Sequence, residues 1–269
     1  MTGMEERDAR LGIILILPTV ILIAGLIFYP IGYNIFLSLH EVNMNPNIAN
    51  TFIGLEHFAN ILTDFDFWNS FQTSVIFTAT TVVGTTLLGL GVALLLNRKF
   101  PGRPIVRGII LLPYVTPVIS AVFGWKYLFD PVFGMANYFL VDLLHLLPQH
   151  INWIESPRYS IYAVIIFNIW RNFPFAFLMI LADLQSISQT LYEAAVVDGA
   201  SRWQQFKYIT LPELKFVLGA LIILRTIWNF YKFSEVYLLS SSVEVLPVYI
   251  YEKAFANYNF GEAAAISAI

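Results

Sequence analysis

Apolar residues run along this chain in blocks that are long and free of charge. No Asp, Glu, Lys or Arg lies between Arg10 and Glu41, between Asp66 and Arg98, or between Arg107 and Lys126. A helix needs about 20 apolar residues to cross the hydrocarbon core of a bilayer, and each block supplies or nearly supplies them. The pattern predicts spans over 11–39, 70–97, 105–129, 159–183 and 214–239. A sixth begins at Gly261 and is cut short at Ile269, too few residues to cross. The run from Leu11 to Leu39 is too long for a cleaved leader and has no obvious small-residue cleavage site, so it reads as a retained first span. The expected fold class is therefore an all-α polytopic membrane protein of about six transmembrane helices, the last one truncated. Residues 1–69 form an N-terminal span and first external loop, and 70–269 a core that carries a long loop at 190–212.

Composition strengthens this picture. Hydrophobic residues make up 58% of the 269 and charged residues 12%, where a soluble domain carries about a quarter. Most of the surface must face something other than water. The net charge of −3 says less than the placement of the cations. The N-terminal tail and the 98–107 and 202–215 connections hold nine: Arg7, Arg10, Arg98, Lys99, Arg103, Arg107, Arg202, Lys207 and Lys215. The alternate connections 40–69, 130–158 and 240–260 hold two, Arg158 and Lys253. Lysine and arginine collect on the inner side of a membrane. The asymmetry predicts a multi-pass protein of the inner (plasma) membrane, with the N-terminus and the 190–212 loop in the cytoplasm.

Two features suit a helical bundle. Thr81, Thr85, Gly89 and Ala93 recur every four residues in the second span, a small-residue seam that lets another helix approach closely. Pro113, Pro117 and Pro174 fall within spans, where bending is tolerated if neighbours satisfy the freed carbonyls. Enzyme chemistry finds no support. There is no cysteine, no G-x-x-x-x-G-K-[ST] phosphate loop and no G-x-S-x-G elbow, and the four histidines lack metal-ligand spacing. No catalytic residue, metal site, cofactor or nucleic-acid partner is expected in this chain.

The segment Thr190–Pro212 carries the most specific signal. Thr190 and Glu193 have capping-box spacing and would start a helix at Leu191, and Gly199 suits the left-handed residue that closes it. Ser201 and Gln204 form a second box, and Pro212 is expected to stop the second helix before the next span. Ala194, Ala195 and Asp198 give the first helix a face with little bulk, suited to a groove on another protein. Trp203, Phe206 and Ile209 give the second an apolar stripe that must be covered.

Glu193-Ala194-Ala195, Gly199, Ile209, Leu211 and Pro212 match E-A-A-x3-G-x9-I-x-L-P, and Asp198-Gly199-Ala200 extends the match. Here the sequence resembles the permease subunits of bacterial and archaeal ABC importers, in particular the sugar-type branch. Phe52 to Phe58 looks like that branch's F-x-G-L-x-N-F stretch, with His57 in place of the usual Asn. The stretches 107–113, 125–134, 228–239 and 249–267 are similar too, so the likeness covers nearly the whole chain, nearest the maltose- and glycerol-3-phosphate-type permeases. The resemblance implies a type I importer permease fold. It also implies a coupling role for Glu193, Ala194, Ala195, Asp198, Gly199, Ala200, Ile209, Leu211 and Pro212, as the loop that docks on an ATPase. The implied partners are a second permease subunit, two ATPase subunits that bind ATP and Mg, an external solute-binding protein, and membrane lipid.

Polar residues inside the spans are the remaining candidates. Asn168, Arg171 and Asn172 share one face of the fourth span, and Arg225, Trp228, Asn229 and Lys232 one face of the fifth. Buried cations in a membrane are costly and meet a cavity or a partner. The two stripes are expected to line a translocation path, with Trp228 offering a flat face to a sugar ring; packing against a twin subunit or lipid headgroups is the alternative. The function that follows is the transmembrane permease subunit of an ATP-driven importer for a sugar, oligosaccharide, polyol or glycerol phosphate. The competing class is an ATP-independent channel or secondary carrier, which favours inverted repeats or paired broken spans and leaves the 190–212 loop unexplained.

Overall fold

The computed structural model describes residues 2–43, 45 and 49–269, with side chains from residue 11 onward among the first helix. The side chains of Arg7 and Arg10, which enter the charge count, lie outside the described residues. The chain packs as two compact units, residues 1–68 with 249–269, and residues 69–248.

In the first unit, helix α1 (residues 2–38) carries the charge-free run and contains a π-helical turn at Ala24–Phe28. Tyr29 N–H there reaches back to the Ala24 carbonyl, one residue farther than in an α-helix. The widened turn lies just ahead of Pro30, whose ring would crowd the carbonyl four residues back and which has no N–H of its own. A two-residue hairpin pairs His40–Glu41 (β1) with Thr51–Phe52 (β2), and α2 (Glu56–Thr63) follows. The end of the chain returns to this unit as α13 (Phe260–Ala268), where the Asn34 amide donates to the Ala264 carbonyl at 3.1 Å. Gly261 is required at that approach, because a Cβ would meet the His40 carbonyl and the His57 ring.

The second unit is built on α3 (Phe65–Asn97, whose first residues belong to the other unit) and α7 (Ser160–Ser186). The small-residue seam falls between them. Thr81, Thr85 and Ala93 are fully buried, and a Cβ on Gly89 would lie 2.7 Å from the Ala176 Cβ and 2.9 Å from the Phe177 backbone nitrogen. Two apolar clusters fill the interior. One gathers Phe77, Val122, Phe167, Val236 and Val245, the other Ala93, Phe177, Ile180, Leu214 and Leu221.

The third expected span, 105–129, is not one helix. It divides into α4 (Arg103–Val115) and α5 (Val118–Leu128), bent by 95°. Proline at 117 forces Thr116 out of the helical region to ψ 133°, so the chain turns there instead of bending gently. The fifth, 214–239, also divides, into α10 (Lys215–Phe230) and α11 (Ser234–Leu239). At 16 residues α10 is about 24 Å long, short of the roughly 30 Å hydrocarbon core. Among the described residues three helices are long and apolar enough to cross a membrane, or four when the bent pair is counted as one span. A helix, α13, begins at Phe260, next to Gly261, where the sixth span is expected to start.

Candidate functional site

The loop between α7 and α10 folds as two short helices, α8 (Gln189–Val197) and α9 (202–213, with a π turn at Phe206–Thr210). Its second capping box forms: Gln204 N–H donates to Ser201 Oγ at 3.3 Å, and Ser201 N–H to Gln204 Oε1 at 2.7 Å. The first does not. α8 begins two residues earlier than expected, with Ser188 at its cap, and Thr190 lies inside the helix with its hydroxyl 2.7 Å from Ser188 Oγ. Ser188, extended at ψ 129° and two residues nearer the span, takes the cap position, although its hydroxyl makes no capping bond to the backbone and meets Thr190 instead. Glu193 is thereby released from capping and is exposed.

Gly199 closes α8 at φ +76°, and nothing lies within 4 Å of where its Cβ would be. The glycine is demanded by backbone conformation alone. Ala200 N–H reaches the Ala195 carbonyl at 2.8 Å and Gly199 N–H the Val196 carbonyl at 3.0 Å, which seals the end of the helix. Pro212 does not stop α9. Leu211 N–H bonds to the Phe206 carbonyl in the π turn, and the proline sits in the first turn of a further helical segment that leads almost directly into α10. This repeats the solution at Pro30. Tyr192 and Thr210 meet hydroxyl to hydroxyl at 2.9 Å and tie the two loop helices together.

The outward face of the loop mixes small apolar residues with two carboxylates. Glu193, Ala194 and Asp198 are exposed, and Val197 is 87% exposed. Ala195, Ala200 and Ile209 are half-buried around a concavity of about 290 Å³ that also reaches Asp198, Gly199 and Tyr208; Leu211 is exposed. On α9, Trp203 is exposed while Phe206 and Ile209 are half-buried, so the expected stripe is only partly covered within the chain.

The two polar stripes in the spans do meet. Arg225 is buried and donates from Nη1 to Asn172 Oδ1 at 3.0 Å and from Nη2 to the Asn172 carbonyl at 2.8 Å. Its guanidinium lies 4.8 Å from the Phe175 ring centre and 5.4 Å from that of Trp228, a cation held between aromatic faces. Asn172 in turn donates to the Asn168 carbonyl at 2.7 Å, and Asn168 to that of Val164 at 2.9 Å. Asn229 is buried with neither amide atom partnered, and the Asn168 oxygen is also unpartnered. Trp228 keeps one face outward at 43% exposure.

Arg171 has a different setting. Its Nη1 donates to the Thr116 carbonyl at 2.7 Å and to that of Pro113 at 3.4 Å, the free acceptors where α4 ends at the bend. Nε lies 3.7 Å from Glu235, which also takes Lys232 at 3.2 Å. Lys232 was expected on the helical face of Arg225, but α10 has ended by then and the lysine belongs to the break. Sequence reasoning missed Glu235 and Phe175. The Lys232/Glu235 spacing of three was visible as a possible pair, whereas the approach of Phe175 to Arg225 depends on how two distant helices are rotated.

Comparison with known proteins gives a consistent result. The family model described as "Binding-protein-dependent transport system inner membrane component" matches residues 85–269. The inner membrane ABC transporter permease protein YcjO of Escherichia coli K12 is 46% identical over 264 residues, 98% of this chain and 90% of that protein. The trehalose/maltose transport system permease protein MalF of Thermococcus litoralis is 36% identical over 275 residues, covering 99% and 89%. A sulfoquinovosyl glycerol transport system permease protein, SmoG of Agrobacterium fabrum, is 33% identical over 273 residues, covering 98% and 87%. Among solved structures, a chain of a bacterial alginate ABC transporter in complex with an alginate pentasaccharide-bound periplasmic protein superposes with a TM-score of 0.78 at 22% identity, covering 98% of this chain and 89% of that one. That likeness is one of fold.

Proposed function

This chain belongs to the family of binding-protein-dependent transport system inner membrane components, and from that premise we propose that it is one permease of an ATP-driven importer for a carbohydrate or related solute. Sugars, oligosaccharides, polyols and glycerol phosphates are the solute class, supported by the trehalose/maltose and sulfoquinovosyl glycerol transport permeases among its relatives. The observation that carries the reading is the 190–212 loop, a rigid pair of short helices that presents an exposed small face between two spans.

In this reading the loop is a lever. Ala194, Ala195, Asp198 and Ala200 enter a cleft on a separate ATPase subunit, one of two that bind ATP and Mg, and Glu193 is free to meet a cation there. Gly199, Ile209, Leu211 and Pro212 hold the lever's shape and join it to α10. Closure of the ATPase pair pulls the loop, and α7 and α10 move with it. A second permease completes the pathway and an external binding protein delivers the solute. The N-terminus and the loop face the cytoplasm, as the distribution of Lys and Arg implies. Trp228 faces the path on this subunit, backed by the buried Asn168, Asn172, Arg225 and Asn229, with Arg171 fixing the bend beside it.

Gly199→Val tests the lever. A β-branched residue resists φ +76°, so the chain is expected to insert normally while ATP-dependent uptake falls to background. Normal uptake by this variant would refute the coupling role. Copurification of an ATPase with the wild-type chain separates this reading from an ATP-independent carrier. Orientation has its own test, because the chain has no cysteine: a Gln205→Cys variant labelled from outside intact cells would reverse it.

A further inference from the structure

A pocket of about 650 Å³ lies where the ends of α3 and α7 meet the loop helices α8 and α9. We propose that it binds the phosphodiester headgroup of an anionic membrane lipid such as phosphatidylglycerol. Its lining combines the apolar Leu94, Leu184 and Phe206 with the cationic Arg98 and Arg202, and no carboxylate is among the lining residues. Among the described residues neither guanidinium takes part in an ion pair. Their neighbours are committed elsewhere: Arg103 donates to the Asn97 carbonyl at 3.4 Å and Arg107 to that of Leu96 at 3.0 Å. Arg98 and Arg202 are two unspent cations facing one cavity.

The depth of the pocket selects the class of anion. α3 ends at Asn97, where its charge-free run gives way to Arg98 and Lys99, so the pocket sits at the level of the headgroups. A soluble anion would use the two arginines and leave Leu94, Leu184 and Phe206 wet. A phospholipid uses both kinds of lining, its phosphate on the guanidinium forks and its glycerol and first acyl carbons on the apolar residues. Trp203, 69% exposed at the rim, has the amphipathic ring that favours this interface. The hydroxyl contact between Tyr192 and Thr210 fixes the wall on the loop side. Bound lipid would therefore touch both the span ends and the loop, and brace one against the other. Assignment to the cytoplasmic leaflet rests on the orientation proposed above, but lipid selectivity does not.

The test is native mass spectrometry of the full chain in its purified complex, with phosphatidylglycerol or phosphatidylcholine of the same acyl chains added in detergent. The wild type is expected to retain phosphatidylglycerol in excess over phosphatidylcholine. The double variant R98Q/R202Q should lose it by roughly twenty-five-fold, a factor of about five for each cation, while R158Q keeps it. An undiminished excess in the double variant would overturn the proposal, as would displacement of phosphatidylglycerol by inorganic phosphate, which would mark a soluble-anion site. Should the double variant not assemble, quenching of Trp203 decides in the wild type, with the Trp203→Phe signal subtracted. Brominated phosphatidylglycerol must quench it more than brominated phosphatidylcholine, and equal quenching refutes the site. Because the readout is binding and not uptake, its failure leaves the transport reading intact.

Discussion

Helices α1 and α7 are both long and apolar, yet their surroundings are opposite. The most apolar stretch of α1 buries none of its residues, and Leu15, Leu22 and Leu26 stand fully or half outward. Helix α7 buries thirteen, among them Ser160, Asn168 and Asn172. α1 is the more uniformly apolar of the two, and its apolar stretch is the less buried. Uniform hydrophobicity marks a surface solvated by lipid, whereas interspersed small and polar residues mark a helix that packs on others. In a bilayer the apolar effect does not drive helices together, so what holds α7 is close approach and hydrogen bonding.

The largest expected effect lies at the polar contact of α7. Arg225→Met removes both bonds to Asn172 and leaves its side-chain oxygen unsatisfied in the interior, at a cost of about 3–5 kcal/mol. Arg158→Met, at an exposed position, is expected to cost almost nothing. Thermal unfolding of the detergent-purified chain measures both. Equal stability of the two variants would mean that the buried polar contact is no more important than the exposed face.

Much of this contrast was legible in the sequence, and the exceptions have physical causes. Long charge-free runs located α1 and α3, and an apolar run interrupted by Arg171 located α7, because twenty apolar residues have few other uses. The seam at Thr81, Thr85, Gly89 and Ala93 was visible as a repeat of four, since helix geometry puts such residues on one face. What failed was local. Pro117 was read as a bend, but only the backbone shows that Thr116 leaves the helix there. Pro212 was read as a stop, yet a π turn ahead of it carries the helix through. The capping box at 190–193 does not form, because the helix starts two residues earlier, after Ser188, and places Thr190 inside it. Within the candidate path, the polar stripes could be seen on each helix, but their joining through Asn172 and Arg225 depends on the rotation of helices more than fifty residues apart.

A pair of glycine substitutions sharpens the comparison at smaller magnitude. Gly89→Ala puts a methyl 2.7 Å from the Ala176 Cβ and 2.9 Å from the Phe177 nitrogen, so a backbone must move. The expected loss is about 1–3 kcal/mol. Gly25→Ala in α1 meets nothing within 4 Å, and the better helix propensity of alanine should leave stability unchanged or raise it by up to about 1 kcal/mol. If Gly25→Ala is as costly as Gly89→Ala, α1 is not the open surface described here.

The smallest effect concerns the polar ends of the first unit, which are held by charge and not by packing in the membrane. Tyr249 Oη donates to Asp64 Oδ2 at 2.6 Å, and Lys253 bridges Asp64 at 3.5 Å and Glu262 at 2.7 Å. The Tyr249 hydroxyl, more than the nearby Lys253 ammonium, holds the Asp64 carboxyl below its ordinary value of 3.8. A carboxyl depressed in the folded state contributes stability that is complete above its unfolded pKa and is lost as pH falls through the folded one. Lys253 shifts the other way: burial opposes its charge, but the bonds to Glu262 and Tyr249 outweigh it and raise the ammonium above 10.5. Its contribution is therefore lost only in strongly alkaline solution, and the acid limb belongs to the carboxylates. Tyr249→Phe removes the main cause of the Asp64 shift. At neutral pH the variant should be less stable than the wild type by about 1 kcal/mol. Because its Asp64 titrates nearer the unfolded value, that gap should narrow as pH falls below 3.8. Unfolding curves of both proteins at pH 7 and in acid decide it, and a gap of constant size would show that Tyr249 acts through packing and not through the carboxylate.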